Sequence, residues 1–329
     1  MKRFKNILCV ITTPATGQAL LQRAVTLADS NQARLTVVAV AEHVSIGMGM
    51  PEGGPVSDGL QAAVVESAQQ KLDQAIAPYR GRSEIRGRVL LGSLFLEIIR
   101  EVLRNGHDLV IKSAEDPEWL DRLLGSEDMH LLRKCPCPVW LVKPGAPMKY
   151  RSIVAAVDLD DAHEKEELHT RRLLNFDILE LASSLALANF SELHIVHGWE
   201  VIGETSMRDG FLRVPEAKVD AYVHQVKKRR ESDMARLLEK LNSRPGNHVL
   251  DCIEYKVHLV KGSPRKIIPA VSRKVKADMV VMGTVGRTGI PGFITGNTAE
   301  MILSQVESSV LAIKPKGFRT PVTLENGDD

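Results

Sequence analysis

The sequence predicts an α/β protein built twice: two tandem, doubly wound, mostly parallel sheets of five strands each. Three observations carry this. Short apolar runs rich in β-branched residues recur in the same order in both halves of the chain, helix-period segments lie between them, and right-handed crossovers from strand to helix to strand leave one open sheet per half. The length of 329 residues exceeds the ~150 of a typical domain, which also favours two.

The runs pair in order. Ile7-Leu8-Cys9-Val10 lines up with Ile153-Val154-Ala155-Ala156, Leu35-Thr36-Val37-Val38 with Leu193-His194-Ile195-Val196, and Val89 to Ser93 with Leu259 to Ser263. Asp108 to Ile111 then pairs with Asp278 to Val281, and Val139 to Pro144 with Val310 to Pro315. Apart from Lys261 in the run Leu259 to Ser263, each run lacks charge near its centre, as strands buried on both faces do. The second copy is longer, having grown after its first strand and before its third.

Between the strands, Leu174, Ile178, Leu181 and Leu185 recur at three and four residues and would lay one apolar stripe on a sheet. Glu216 to Asn242 is another helix. Its run Lys227-Lys228-Arg229-Arg230 has acidic neighbours Glu231, Asp233 and Glu239, so it reads as a solvated face without function. Lys143 to Tyr150, with Pro144, Gly145 and Pro147, is a linker. The first domain is therefore 1–145, the second 150–316, and 317–329 a flexible tail.

Basic and acidic residues number 43 and 41, and neither half carries the excess of a nucleic-acid binder, so no such partner is expected. No apolar run approaches the ~18 residues of a membrane helix. The basic start Lys2-Arg3-Phe4-Lys5 leads into an apolar run that Thr12-Thr13-Pro14 stops, which makes it a first strand rather than a signal peptide. Cys9, Cys135, Cys137 and Cys252 lack the paired spacings of a zinc site or a disulfide framework, so a cytoplasmic location is expected. Cys135-Pro136-Cys137-Pro138 reads as small buried residues before a strand, with redox chemistry as the other reading. His163, Glu164, Glu166, Glu167 and His169, in the insert 159–171, read as a polar loop rather than a metal site. The phosphate-loop, dinucleotide and serine-hydrolase signatures are missing, and no spacing assembles a nucleophile with a base. Binding is expected rather than catalysis.

The chemistry concentrates after the fourth strand of the second copy. Met282 runs into a segment containing Gly283, Thr284, Gly286, Arg287, Gly289, Gly292, Gly296, Asn297 and Thr298, and then a helix. Glycines let backbone amides approach an anion, and the helix start adds unpaired N–H groups with a favourable dipole. A phosphate cradle is one reading; a surface loop without ligand is the other. Asn297-x-x-Glu300 also has the form of a capping box, which either reading accommodates.

The spacing Gly283-x-x-Gly286, nine residues, then Gly296 followed by Asn297 resembles the universal stress protein family. Asp158, at the end of the second copy's first strand, matches that family's strand-end Asp; alone it would equally well cap the next turn. The tandem arrangement, Leu173 to Leu179 and Gly296 to Glu300 are most similar to the E-type tandem members, across nearly the whole chain. The resemblance implies Asp158 near the ribose or adenine, the backbone at Gly198 and Trp199 lining a base pocket, and Gly283, Thr284, Gly286, Arg287, Gly296, Asn297 and Thr298 around the phosphates. It also implies ATP or a related nucleotide, with Mg as a companion and no essential cofactor. The halves would pack as an internal pseudo-dimer through their last strands, with a further homodimer open. Many ATP-binding relatives carry Ser or Thr at the position of Asn297, whose carboxamide still donates hydrogen bonds.

In the first copy the same positions read Ser113, Ala114, Glu115 and Asp116, then Gly125-Ser126 one residue closer and Glu127-Asp128. Thr12 stands in place of Asp158. Like charges ~5 Å apart repel by about 3 kcal/mol at an effective dielectric near 20, so this hollow is expected to reject phosphate, although Glu127 and Asp128 also complement their own helix dipole. The expectation is a stress-response protein that binds an adenine nucleotide or other phosphorylated ligand in its second domain and regulates rather than catalyses. A ligand-free scaffold for a protein partner and a weak ATPase are the alternatives.

Overall fold

The computed structural model describes residues 4–12, 14–44, 55–81, 84–114, 126–160, 165–210, 214–243, 249–284 and 297–324. These form two compact units, one from 4–148 and 307–324 and the other from 149–284 and 297–306.

The first unit runs β1 (Asn6–Val10), α1 (Pro14–Asn31), β2 (Arg34–Ala41), α2 (Pro55–Ile76), β3 (Ile85–Leu91), α3 (Leu94–Asn105), β4 (Leu109–Ser113), α4 (Glu127–Lys134) and β5 (Val139–Val142). The order is β3-β2-β1-β4-β5, all parallel. The chain thus winds both ways from β1, and the switch point lies between β1 and β4. These central strands are buried along their whole length, as their uninterrupted apolar runs require.

The second unit runs β6 (Ser152–Ala156), α5 (Lys165–Asn189), β7 (Glu192–Trp199), α6 (Glu204–Asp209), α7 (Glu216–Asn242), β8 (Tyr255–Lys261), α8 (Pro264–Lys274), β9 (Met279–Gly283) and α9 (Asn297–Leu303). Its order, β8-β7-β6-β9, puts the switch point between β6 and β9. The final strand, β10 (Ser309–Ile313), belongs to the first unit, where it pairs antiparallel with β5, Leu311 opposite Trp140. The last strands of the two repeats therefore meet; among the described residues each repeat supplies five strands, and the first unit also holds β10.

The duplication persists in backbone detail. Gly92 and Gly262, each just before the helix that follows the third strand of its repeat, both have φ of 138°, a region open to glycine alone at little cost. Leu174, Ile178, Leu181 and Leu185 of α5 are buried as the period requires. That helix begins at Lys165, so most of the insert 159–171 is helical rather than a loop, and Glu167 meets Arg171 at 2.8 Å one turn on. His163 and Glu164 lie outside the described residues. The 143–150 segment turns at Gly145 and is pinned by Arg23, which donates to the carbonyls of Pro147 and Met148. No helix among the described residues is long and apolar enough to cross a membrane.

Candidate functional site

Beyond the carboxyl ends of β6, β7 and β9 a cleft of about 640 Å³ opens at the switch point, the place where open α/β sheets take their ligands. Leu174, Ile178, Ile268 and Ile302 supply apolar lining. Asp158, Gly198, Trp199, Gly283, Thr284 and Thr298 all line it. Asn297 opens α9 and is exposed, off the lining. Gly286, Arg287 and Gly296 fall outside the described residues.

Asp158 does not enter the cleft as a bare carboxylate. Its N–H donates to Asn175 Oδ1 at 2.9 Å and its carbonyl accepts from Asn175 Nδ2 at 2.6 Å, which fixes the turn leaving β6. One carboxylate oxygen accepts the Asp160 N–H at 3.0 Å and the other is paired with Arg171. Both readings of this Asp thus have a physical basis: it caps the turn, and it lines the cleft with its charge partly compensated.

The two strand-end glycines have packing reasons. A Cβ on Gly198 would sit 3.0 Å from Pro264 Cα and 3.1 Å from the Gly262 carbonyl, so α8 packs closely on β7 only because residue 198 has no side chain. A Cβ on Gly283 would meet Leu174 at 2.6 Å. Thr284 is fully buried.

Several cleft residues escaped the sequence reading. Arg229 and Arg230 line it, and Arg230 is buried, donating to the Leu159 carbonyl at 2.6 Å and to Asp160 at 3.3 Å. The basic run is therefore not a uniformly solvated face. Helical phase explains the difference: Arg230 shares the buried stripe of α7 with Val219, Met234 and Leu241, a 3.6-residue period that local charge counting ignores. Arg171 and Arg265 bring the guanidinium groups on the lining to four, against three carboxylates, Asp158, Asp160 and Glu200.

His197 is also on the lining and almost wholly buried. Its Nδ1 lies 3.1 Å from the Val157 carbonyl and donates there, while Nε2 has no partner among the described residues. Burial pushes its pKa down, which favours the neutral ring. The indole N–H of Trp199 likewise has no acceptor among the described residues. Among them, no cluster of three His, Cys, Asp or Glu is arranged to hold a metal.

The first repeat treats the equivalent hollow differently from expectation. Asp128 is buried and paired at 2.7 Å with Lys112 of β4. Glu127, in the first turn of its own helix as expected, also reaches α3, its Oε2 accepting the Phe95 N–H at 2.7 Å. Ser126 caps α4, accepting from Met129 N–H at 3.2 Å. The described acids are thus engaged rather than facing the hollow as free like charges; Glu115, Asp116 and Gly125 lie outside the described residues. Cys135 and Cys137 are buried, as expected, with their sulfurs 3.6 Å apart, and Cys252 is exposed.

Comparison with known proteins agrees with this architecture. The model of the universal stress protein family matches residues 3–143 and again 149–314. Universal stress protein E of Escherichia coli (strain K12) is 33% identical over 236 residues, covering 71% of this chain and 69% of that protein. Its counterpart in Photorhabdus laumondii is 28% identical over 331 residues, 98% of each. Among solved structures, a putative universal stress protein from Pseudomonas aeruginosa UCBPP-PA14 superposes with a TM-score of 0.64 at 26% identity, over 95% of this chain and 94% of that one. One from Archaeoglobus fulgidus shares the fold, with a TM-score of 0.58 at 18% identity over 95% and 97%. Two switch-point folds in one chain, each matched separately by the same family, lead to one conclusion: the chain is a tandem member of the universal stress protein family.

Proposed function

We propose that the second repeat binds an adenine nucleotide or another phosphorylated small molecule in its cleft, and that the protein acts in the cytoplasm as a ligand-dependent regulator of a stress response. The observation that carries this is the convergence at one switch point of Asp158, Trp199, Gly283, Thr284 and Thr298 with four guanidinium groups. In this reading the apolar side chains of Leu174, Ile178 and Ile268 receive the flat part of the ligand, and the arginines and helix starts hold its anionic part. Mg would enter with ATP rather than reside in the protein. Regulation is favoured over catalysis because His197, the histidine of the cleft, turns its Nδ1 to the Val157 carbonyl rather than to a hydroxyl or thiol of the described residues, the partner a nucleophile-activating base needs.

The test begins with acid extraction of the purified protein and chromatography for co-purified nucleotide. ATP, AMP and a nucleotide-sugar are then titrated calorimetrically into the native chain and a Gly286→Asp variant. Saturable binding that weakens at least tenfold in the variant is the expected outcome. Silence of the native protein toward every ligand would instead support a ligand-free scaffold, and linear phosphate release above a heat-killed control would support an ATPase.

A further inference from the structure

Cys135 and Cys137 bracket a single proline where α4 gives way to β5. Cys135 ends the helix, its N–H donating to the Leu131 carbonyl, and the chain bends through Pro136 and Cys137 before β5 begins. Pro136 fixes its own φ and Pro138 disfavours the helical region for Cys137, so the bend is set by the sequence, and it leaves the two sulfurs 3.6 Å apart. The fold itself does not ask for sulfur here. At the same junction of the second repeat, Val306 and Ser308 stand in place of the cysteines and are likewise buried.

The two thiols are not equivalent. Burial opposes ionisation of Cys135, but the S–H and the N–H of Cys137 both donate to its sulfur and the Lys314 ammonium adds its charge, which together hold its pKa below the ordinary thiol value. Donation to Cys135, together with burial, pushes Cys137 well up. Lys314 stands at the same end of α4, donating to the carbonyls of Leu132 and Arg133. Cys9, just as buried, shows what burial alone does: its thiol is pushed up to about 12. The pair thus combines one sulfur suited to attack with a second in contact with it that can resolve the product. It meets solvent through Cys137, 8% exposed, while Cys135 has no exposed surface. Such an opening favours an oxidant little larger than water over a peptide-sized one.

We propose that Cys135 and Cys137 are a redox site, which a small hydroperoxide converts reversibly into an intramolecular disulfide. The Cys135 thiolate attacks hydrogen peroxide: an S–O bond forms, the O–O bond breaks, and the leaving hydroxide takes up the proton shed by the thiol and becomes water. The Cys137 sulfur then attacks the sulfenic acid: the S–S bond forms, the S–O bond breaks, and hydroxide leaves with the Cys137 proton as a second water. Two electrons pass from the sulfurs to the peroxide, so two thiols and one hydrogen peroxide become one disulfide and two waters. The sulfurs close by about 1.5 Å to reach the ~2.05 Å of the bond. A dithiol reductant reverses the reaction by exchange. The site lies in the first repeat and does not depend on the cleft of the second.

The test uses the full chain carrying Cys252→Ser, which removes the exposed thiol. Trypsin cuts after Lys134 and Lys149, so both cysteines fall in the peptide 135–149 and Cys9 in another. After hydrogen peroxide treatment of the folded protein that peptide is expected to lose the mass of two hydrogens and to regain it with dithiothreitol, while thiols counted in denaturant fall from three to one. Adding Cys137→Ser stops the reaction at a sulfenic acid that dimedone traps on Cys135. Adding Cys135→Ser instead leaves Cys137 reacting more slowly, by roughly tenfold or more, as the higher pKa of its thiol requires. Glutathione disulfide leaves the peptide reduced. The redox site is wrong if the peptide keeps both thiols under peroxide, or if its disulfide forms only after urea has unfolded the chain. Equal rates in the two single variants would overturn Cys135 as the attacking sulfur, and oxidation by glutathione disulfide as fast as by peroxide would overturn the choice of oxidant.

Discussion

In the first repeat the buried ammonium of Lys112 meets Asp128 at 2.7 Å and Glu127 takes the Phe95 N–H; at the same positions the second repeat has Met282, Ala299 and Thr298, and a cleft of about 640 Å³ lies there. Both are responses to one problem. A switch point between diverging crossovers leaves a hollow lined by strand ends and helix starts, whose polar groups need partners. The first repeat provides those partners from its own side chains. The second leaves them available, with Arg171 and Arg230 holding the acids of the β6 turn in place. The lesson is that two of the first repeat's acids serve as partners for its own groups, Asp128 paired to Lys112 and Glu127 accepting a backbone N–H.

The largest expected effect tests that occupancy. Asp128→Ala leaves the Lys112 ammonium buried without its carboxylate, and breaking one side of a buried pair costs about 3–5 kcal/mol. Urea unfolding of the full chain measures this. The double substitution Lys112→Met with Asp128→Ala, which installs the residues of the second repeat, restores most of the loss, because an apolar pair replaces an ionic one without an orphaned charge. If the double variant is as unstable as the single, an orphaned lysine charge is not the source of the loss.

A smaller effect sharpens the comparison at the strand ends. Val40 of β2 occupies the position of Gly198 in β7, and the first repeat accepts that side chain where the residue after Ser93 is Leu94. In the second repeat Pro264 stands there, and its backbone would be about 3.0 Å from a new Cβ. Gly198→Ala therefore overpacks backbone against backbone and is expected to destabilise by about 1–3 kcal/mol. The same urea titration reads it. No loss would mean that α8 can move away freely.

Much of this was legible beforehand, for identifiable reasons. The strands could be found because burial on both faces writes uninterrupted apolar runs such as Ile153 to Ala156, and writing them twice removed the ambiguity. The switch-point rule located the region beyond the strand ends, whereas the particular strand-end residues Asp158, Gly198 and Trp199 came from the family resemblance. Arg230 did not, because its role depends on the rotation of α7 about its own axis. Glu127's place in the first turn of α4 was legible, but its bond to the Phe95 N–H was not, because Phe95 lies 32 residues earlier on a helix that only the tertiary fold brings close. The exchange of β10 to pair with β5 was expected only through family resemblance, since no local pattern states which edge a strand will join.

The end strands offer the last contrast between the repeats. Lys143 follows β5 and is partly exposed, while its counterpart Lys314 follows β10 and is buried. The Lys314 ammonium donates to the carbonyls of Leu132 and Arg133 and lies 4.9 Å from the Phe318 ring centroid. Burial pushes its pKa down to about 7, against ~10.4 in an unfolded chain. Between those values the unfolded chain holds a proton that the folded chain has released, so the unfolded state binds more protons and stability rises with pH, by at most about 1.4 kcal/mol per pH unit from this group. Below the folded value both states are protonated and this contribution to the slope disappears. Urea unfolding at pH 6, 7, 8 and 9 of the native chain and of Lys314→Met isolates it as the difference between two profiles: the native chain gains on the variant above neutrality and runs parallel to it below. Profiles parallel throughout would mean that the buried lysine keeps its proton as an exposed one does, and the contrast with Lys143 would be one of packing alone.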